Sequence, residues 1–330
     1  MISIQLLRAV AAVMVVVFHV LNKAQNTGVI VTHPFMSGAA GVDLFFMISG
    51  FIMVYITHNK KVSIKDFLLK RVVRIIPLYW IMTTVAAIVF LLFPSMINSQ
   101  NGVTTILNSY TLIPVKENIL LTVAWTLRYE VLFYLIFSIS LLLGSARYIA
   151  CGITITTLSL LSLTSPQNFY MSFVTNPIII EFVIGMLIYF AVASLNSNYG
   201  FLIIIGGVSL LFQNQTEHSE GIRVFFYAIP MLMVFLGMIS LEGKLSASKN
   251  KLIKFTAYLG DASYSIYLSH LFTIGATYFI GNKATPNINQ FIFIPVSIAL
   301  SIFLGLLCYE IVEKPITKYI KSLAFAKHQK

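Results

Sequence analysis

Charge is what this chain has least of. Only 10% of its 330 residues are Asp, Glu, Lys or Arg, and only 11 are acidic. Soluble domains carry about 25% charged residues, so the composition excludes an ordinary soluble fold. Cysteine is as scarce: Cys151 and Cys308 both fall in apolar runs. They read as small buried apolar residues, with no disulfide framework and no metal spacing, and no metal is expected. There is no Walker loop, Rossmann glycine fingerprint, H-E-x-x-H or G-x-S-x-G elbow, so ATP coupling within this chain is not expected. Sustained polar/apolar alternation is missing too, which argues against a β-barrel.

What is present is hydrophobic length. Hydrophobic residues make up 58% of the chain and the mean hydropathy is +0.88. Apolar stretches at about 4–22, 39–57, 75–93, 125–143, 147–163, 174–194, 200–213, 222–241, 262–280 and 291–311 read as ten membrane spans, the seventh a short one. The fold expected is all-α: a polytopic integral membrane helix bundle of about ten transmembrane helices, forming one domain over 1–330 without an appended soluble part. Arg8 breaks the layout of a removable signal peptide, so the first span is expected to stay. No internal repeat stands out.

Loop charge orients the bundle. Sixteen basic residues fall on one side, among them Lys60, Lys61, Arg71, Arg74, Arg147, Lys251, Lys254, Lys327 and Lys330, against four on the other: Lys23, Lys116, Arg223 and Lys283. This imbalance predicts cytoplasmic termini and explains the net charge of +11 without a nucleic-acid partner. The stretch from Pro94 to Ala124 then faces outward, as a re-entrant or interfacial element.

Several polar side chains interrupt the apolar runs. Arg8 and His19 lie eleven residues apart in the first span, close to three turns, so they share a face roughly 16 Å apart along the axis. Such residues mark a ligand or proton site, or else Arg8 snorkels to headgroups and His19 joins helices. Asp43, Trp125 and Glu130 fall at a depth similar to His19. An imidazole with a carboxylate to orient it is what a general base needs. The alternative pairs Asp43 and Glu130 with Arg128. Arg71 and Arg74 share one helical face and suit a phosphate-bearing ligand, or anchor lipid headgroups. Ser263, Tyr267 and His270 form a stripe that either contacts a substrate or locks helices together. Glu310, Glu313 and Lys314 are expected to be structural, and Glu181 has no explanation in the sequence.

Six motifs, in order, resemble those of the bacterial membrane-bound acyltransferase 3 family. They are R-x10-H (Arg8, His19), G-V-D-x-F-F-x-I-S-G-F (Gly41 to Phe51), R-x-x-R (Arg71, Arg74), W-T-L-x-x-E (Trp125 to Glu130), Y-S-I-Y-L-x-H (Tyr264 to His270) and E-K-P (Glu313 to Pro315). Together they span essentially the whole chain. The local wording is most similar to the branch that acetylates exopolysaccharide and O-antigen sugars.

The resemblance implies an O-acyltransferase of the bacterial cytoplasmic (inner) membrane. It implies acetyl-CoA, or another acyl-CoA, as co-substrate with no bound cofactor, and a surface polysaccharide or lipid-linked glycan as acceptor. By the match, His19 is the catalytic histidine, as general base or as nucleophile, with Glu130 or Asp43 orienting it. Arg8, Arg71 and Arg74 serve the acyl-CoA; Trp125, Tyr267 and His270 are acceptor or pocket candidates. A separate extracytoplasmic transferase is an open partner. A secondary transporter or flippase for a glycan or small anionic solute is the rival reading, although the inverted repeats and paired broken helices usual there are not seen.

Overall fold

A backbone in lipid must satisfy its own hydrogen bonds, and helices do this within each segment. The computed structural model describes residues 1–93, 104–192, 197–213, 220–284 and 288–325, and these are helical, with no strand beyond an isolated bridge between Thr104 and Asn118. The main helices are α1 (Ile2–Asn26), α2 (Ala40–Thr57), α3 (Ile64–Leu92), α4 (Trp125–Ser140), α5 (Arg147–Leu161) and α6 (Ile180–Ala191). They continue with α7 (Gly200–Gln213), α8 (Ile229–Ser240), α9 (Lys251–Asp261), α10 (Ser263–Ala284), α11 (Gln290–Cys308) and α12 (Lys314–Phe325).

Among the described residues, six stretches are long and apolar enough to cross a membrane: Ile2–Asn26, Met36–Thr57, Ile64–Leu92, Thr122–Thr164, Phe169–Ala191 and Gln290–Leu323. Thr122–Thr164 holds both α4 and α5, which fold back on each other at Gly144, where φ is +57°. α7 and α8 are shorter apolar helices packed together. Each stretch read as a span thus holds helix, and the protein is a helical membrane bundle.

α1 is the hub, packed against α2, α9, α10 and α11. α2 and α6 approach closely through reciprocal glycines. A Cβ on Gly50 would collide with the carbonyl of Phe182, and one on Gly185 with that of Met47. Small residues at such contacts let helix backbones meet.

Two basic segments read as loop and tail are helices. α9 carries Lys251 and Lys254, and α12 carries Lys314, Lys318 and Lys321. Charged residues alternate there with apolar ones at helical spacing, which a count of loop charges overlooks. α3 also starts earlier than its apolar stretch. Ser63 caps it, accepting from the N–H of Asp66 at 3.0 Å, so Arg71 and Arg74 already lie within the helix. We call the end bearing Lys60, Lys61 and α9 the basic end.

The described part of the stretch expected to face outward, 104–124, packs on α3. Tyr79 donates its hydroxyl to the carbonyl of Ser109, and Trp80 donates Nε1–H to that of Tyr110 at 2.9 Å. Its own Leu112 and Leu120 are buried. Residues 94–103 and the tail lysines Lys327 and Lys330 lie outside the described residues.

Candidate active site

α1, α2, α3, α4 and α10 enclose a cavity of about 100 Å³. Arg8 enters from α1, Arg71 and Arg74 from α3, Glu130 and Tyr134 from α4, and Tyr264 and Tyr267 from α10. A second space of about 420 Å³ adjoins at Arg71 and is lined by Lys60, Lys61 and Lys70, so the arginine cavity leads toward the basic end.

The arginines are close together but poorly neutralised. Arg8 is only 8% exposed, and its Nη1 donates to Oε1 of Gln5 at 3.3 Å. Arg71 lies near the rings of Phe67 and Tyr134, at 5.9 and 5.8 Å, and its buried Nε has no partner. Among the described residues no carboxylate stands within ion-pair distance of Arg8, Arg71 or Arg74. Glu130 lines the same cavity but accepts from Ser49 Oγ at 2.9 Å and from the Tyr134 hydroxyl. Glu313, held by Ser265 Oγ at 2.6 Å, lies within electrostatic reach of Arg8 and Arg74. Guanidiniums without close counter-ions in a low-dielectric wall form a receptor for an anion.

His19 lies outside this cavity. Its ring centroid is 5.1 Å from that of His270 and 5.2 Å from that of Phe18. Tyr267 links the two regions: it lines the cavity, and its ring centroid is 5.9 Å from His270. Its hydroxyl bonds the Val123 carbonyl at 2.9 Å and the Thr126 hydroxyl at 2.8 Å. The stripe read along α10 therefore divides, with Ser263 and Tyr267 on the cavity and His270 on the histidine pair.

The carboxylates have other partners than His19. Asp43, fully buried, pairs with Arg223, and no hydrogen bond or ion pair joins His19 to Asp43 or Glu130 among the described residues. Arg128 pairs with neither acid; its Nε and one terminal nitrogen are buried without partners. Depth along a helix is readable in a sequence, but rotation about its axis is not, and rotation separates these groups. Trp125 is 37% exposed and packs edge-on to Phe46 and Tyr129, off the cavity.

Four further polar residues belong to this description. Ser49 and Tyr134 hold Glu130, and Glu181 and Arg223 surround Asp43. Tyr134 follows Glu130 by four residues, one turn on, which is a signal the sequence offered. Arg223 falls at the very start of the 222–241 stretch, where counting loop charges places it on the less basic side rather than in the bundle.

The fold defines a helical membrane protein whose bundle encloses a cavity lined by three arginines. Residues 1–310 match the acyltransferase domain of the acyltransferase 3 family, and the chain belongs to that family. It is 29% identical over 319 residues to the exopolysaccharide production protein ExoZ of Rhizobium meliloti (strain 1021), covering 90% of this chain and 94% of that protein. No solved structure matches.

Proposed function

We propose that this acyltransferase moves an acyl group, acetyl in the first instance, from cytoplasmic acetyl-CoA to a sugar hydroxyl of a bacterial surface polysaccharide. The reading includes ten crossings of the cytoplasmic membrane with both termini in the cytoplasm. The acceptor class, exopolysaccharide or O-antigen, follows the likeness to ExoZ and the wording of the motifs. The observation that carries the donor is the cavity lined by Arg8, Arg71 and Arg74 with no carboxylate paired to them among the described residues. Coenzyme A offers a diphosphate and a further phosphate, which guanidiniums bind bidentately.

The chemistry follows from the layout. Phosphates held at Arg71 and Arg74 leave the pantetheine arm to run along the cavity toward Tyr267. Beyond Tyr267 stands the His19–His270 pair. His19 takes the proton of the acceptor hydroxyl as its oxygen attacks the thioester carbonyl, or attacks that carbonyl itself to form an acyl-imidazole. In both routes a C–O bond replaces the C–S bond, and the hydroxyl proton ends on the departing sulfur. The test is thiol release from acetyl-CoA by membranes containing the protein, supplied with deacylated host polysaccharide. Acceptor-dependent release that disappears in His19→Ala supports the reading; equal release by the variant at matched abundance removes it.

A further inference from the structure

His270 holds a buried nitrogen that no partner uses among the described residues. Its side chain is fully buried on α10, and Nδ1 lies 2.7 Å from the backbone carbonyl of Tyr267. A carbonyl oxygen only accepts, so Nδ1 carries the proton. A neutral imidazole has one donor and one acceptor, which leaves Nε2 with its lone pair. That Nε2 has no hydrogen-bond partner. Buried polar atoms are nearly always satisfied, so an orphan calls for an explanation, and a catalytic role is one.

The ring in contact with His270 is His19, with centroids 5.1 Å apart and planes inclined by 39°. At this separation a modest turn of either ring lines up an N–H···N hydrogen bond. His19 itself makes no hydrogen bond among the described residues. The other candidates for orienting it are already engaged. Asp43 is held by Arg223, and Glu130 by Ser49 and Tyr134. His33 donates from Nε2 to the carbonyl of Phe18 at 3.0 Å and accepts at Nδ1 from the N–H of Phe35 at 3.2 Å.

We propose that His270 is the positioning residue for His19: its Nε2 accepts the N–H of His19 and so fixes the tautomer that leaves the other His19 nitrogen free to react. This inference rests on the reactive role given to His19 above. A neutral partner suits the place, because a carboxylate at the fully buried position of His270 would carry a charge into the bundle. When His19 takes the hydroxyl proton, the positive charge spreads toward the second ring. The proton then passes from His19 to the thiolate as the C–S bond breaks, and His270 returns unchanged. Tyr267 carries both ends of the device, since its carbonyl sets the His270 tautomer and its ring lines the cavity.

The test compares His270→Gln, His270→Asn and His270→Ala in steady-state transfer from acetyl-CoA. Glutamine places an acceptor oxygen near the Nε2 position, whereas asparagine reaches only the Nδ1 position. The expected result is a loss of about 100-fold in kcat for Asn and Ala. Gln should keep about a tenth of wild-type kcat or more, and KM for acetyl-CoA should stay within about twofold throughout. Gln falling as far as Ala, or all three variants remaining active, overturns the proposal.

A second measurement does not depend on activity or on the variants folding. Solid-state 15N spectra of histidine-labelled wild-type protein in lipid should show a protonated His270 Nδ1 and a coupling across an N–H···N bond between the two rings. Absence of that coupling overturns the proposal whatever the kinetics. A wild-type protein that shows the coupling but turns over no acyl-CoA refutes the acyltransfer reading instead.

Discussion

Arg223 and Asp43, 180 residues apart in sequence, form a two-pronged ion pair inside the bundle. Nη2 lies 2.5 Å from Oδ2 and Nε lies 3.3 Å from Oδ1, while Nη2 also donates to the carbonyl of Ala39 at 3.1 Å. Glu181, fully buried, lies against Asp43 with no donor on either oxygen. The guanidinium thus pairs with one of two neighbouring buried acids and joins the start of α2 to the approach to α8.

Removing that guanidinium leaves buried acid uncompensated. Arg223→Met should lower stability by about 3–5 kcal/mol, read as a fall in the thermal unfolding midpoint in detergent. Arg223→Lys should not restore it, because an ammonium cannot fork to both oxygens. Glu181→Gln should hold or raise the midpoint, since its amide donates to Asp43. A midpoint unchanged by Arg223→Met would show that the pair does not brace the bundle.

The glycine contact between α2 and α6 is a matter of space. Gly185→Val has the carbonyl of Met47 in its way and should cost about 1–3 kcal/mol or more. Gly243→Ala meets nothing within 4 Å and should leave the midpoint unchanged. Equal midpoints for both variants would remove the close approach.

Outside the spans, Glu242 caps α1. It accepts from the backbone N–H of Ile2 at 2.9 Å and of Ser3 at 2.7 Å, and from Ser246 Oγ at 2.7 Å. Partial burial works against the carboxylate, but these hydrogen bonds outweigh it and hold its pKa below the usual glutamate value. A depressed folded pKa means that the stabilisation is fully present above the unfolded value and is lost as pH falls through the folded one. Glu242→Gln should therefore cost about 1 kcal/mol at neutral pH, and the gap should close on acidification below about pH 4.3. A gap independent of pH would assign the effect to packing.

How much of this was open to reading from sequence depends on the coordinate asked about. Apolar length set the helices, and R-x10-H, R-x-x-R and W-T-L-x-x-E singled out Arg8, Arg71, Arg74 and Glu130, four residues that line one cavity. Position along each axis was legible because 1.5 Å per residue is fixed. Azimuth was not, so Asp43 was read toward His19 and stands against Arg223. α9 and α12 were hidden because their lysines weighed more in the reading than their helical spacing. Glu181 had no role until Asp43 was found beside it.

The cavity arginines should act through donor binding. Arg71→Ala should raise KM for acetyl-CoA about 10- to 100-fold, the worth of a charge-assisted hydrogen bond or two, with a smaller change in kcat. Arg71→Lys should recover part of the loss, keeping charge without the fork. Steady-state kinetics in membranes separate these effects, and an unchanged KM in Arg71→Ala would mean that the phosphates bind elsewhere.

The central claim is that this chain esterifies a surface polysaccharide through His19. Its most direct test is the base-labile acyl content of the host's polysaccharide, read by proton NMR in a deletion strain complemented with wild type or with His19→Ala at matched membrane levels. The account predicts that the ester signal disappears on deletion and returns with wild type alone, and the shifted sugar resonances then identify the acylated position. Polysaccharide with undiminished ester in the deletion strain, or full restoration by His19→Ala, would contradict it.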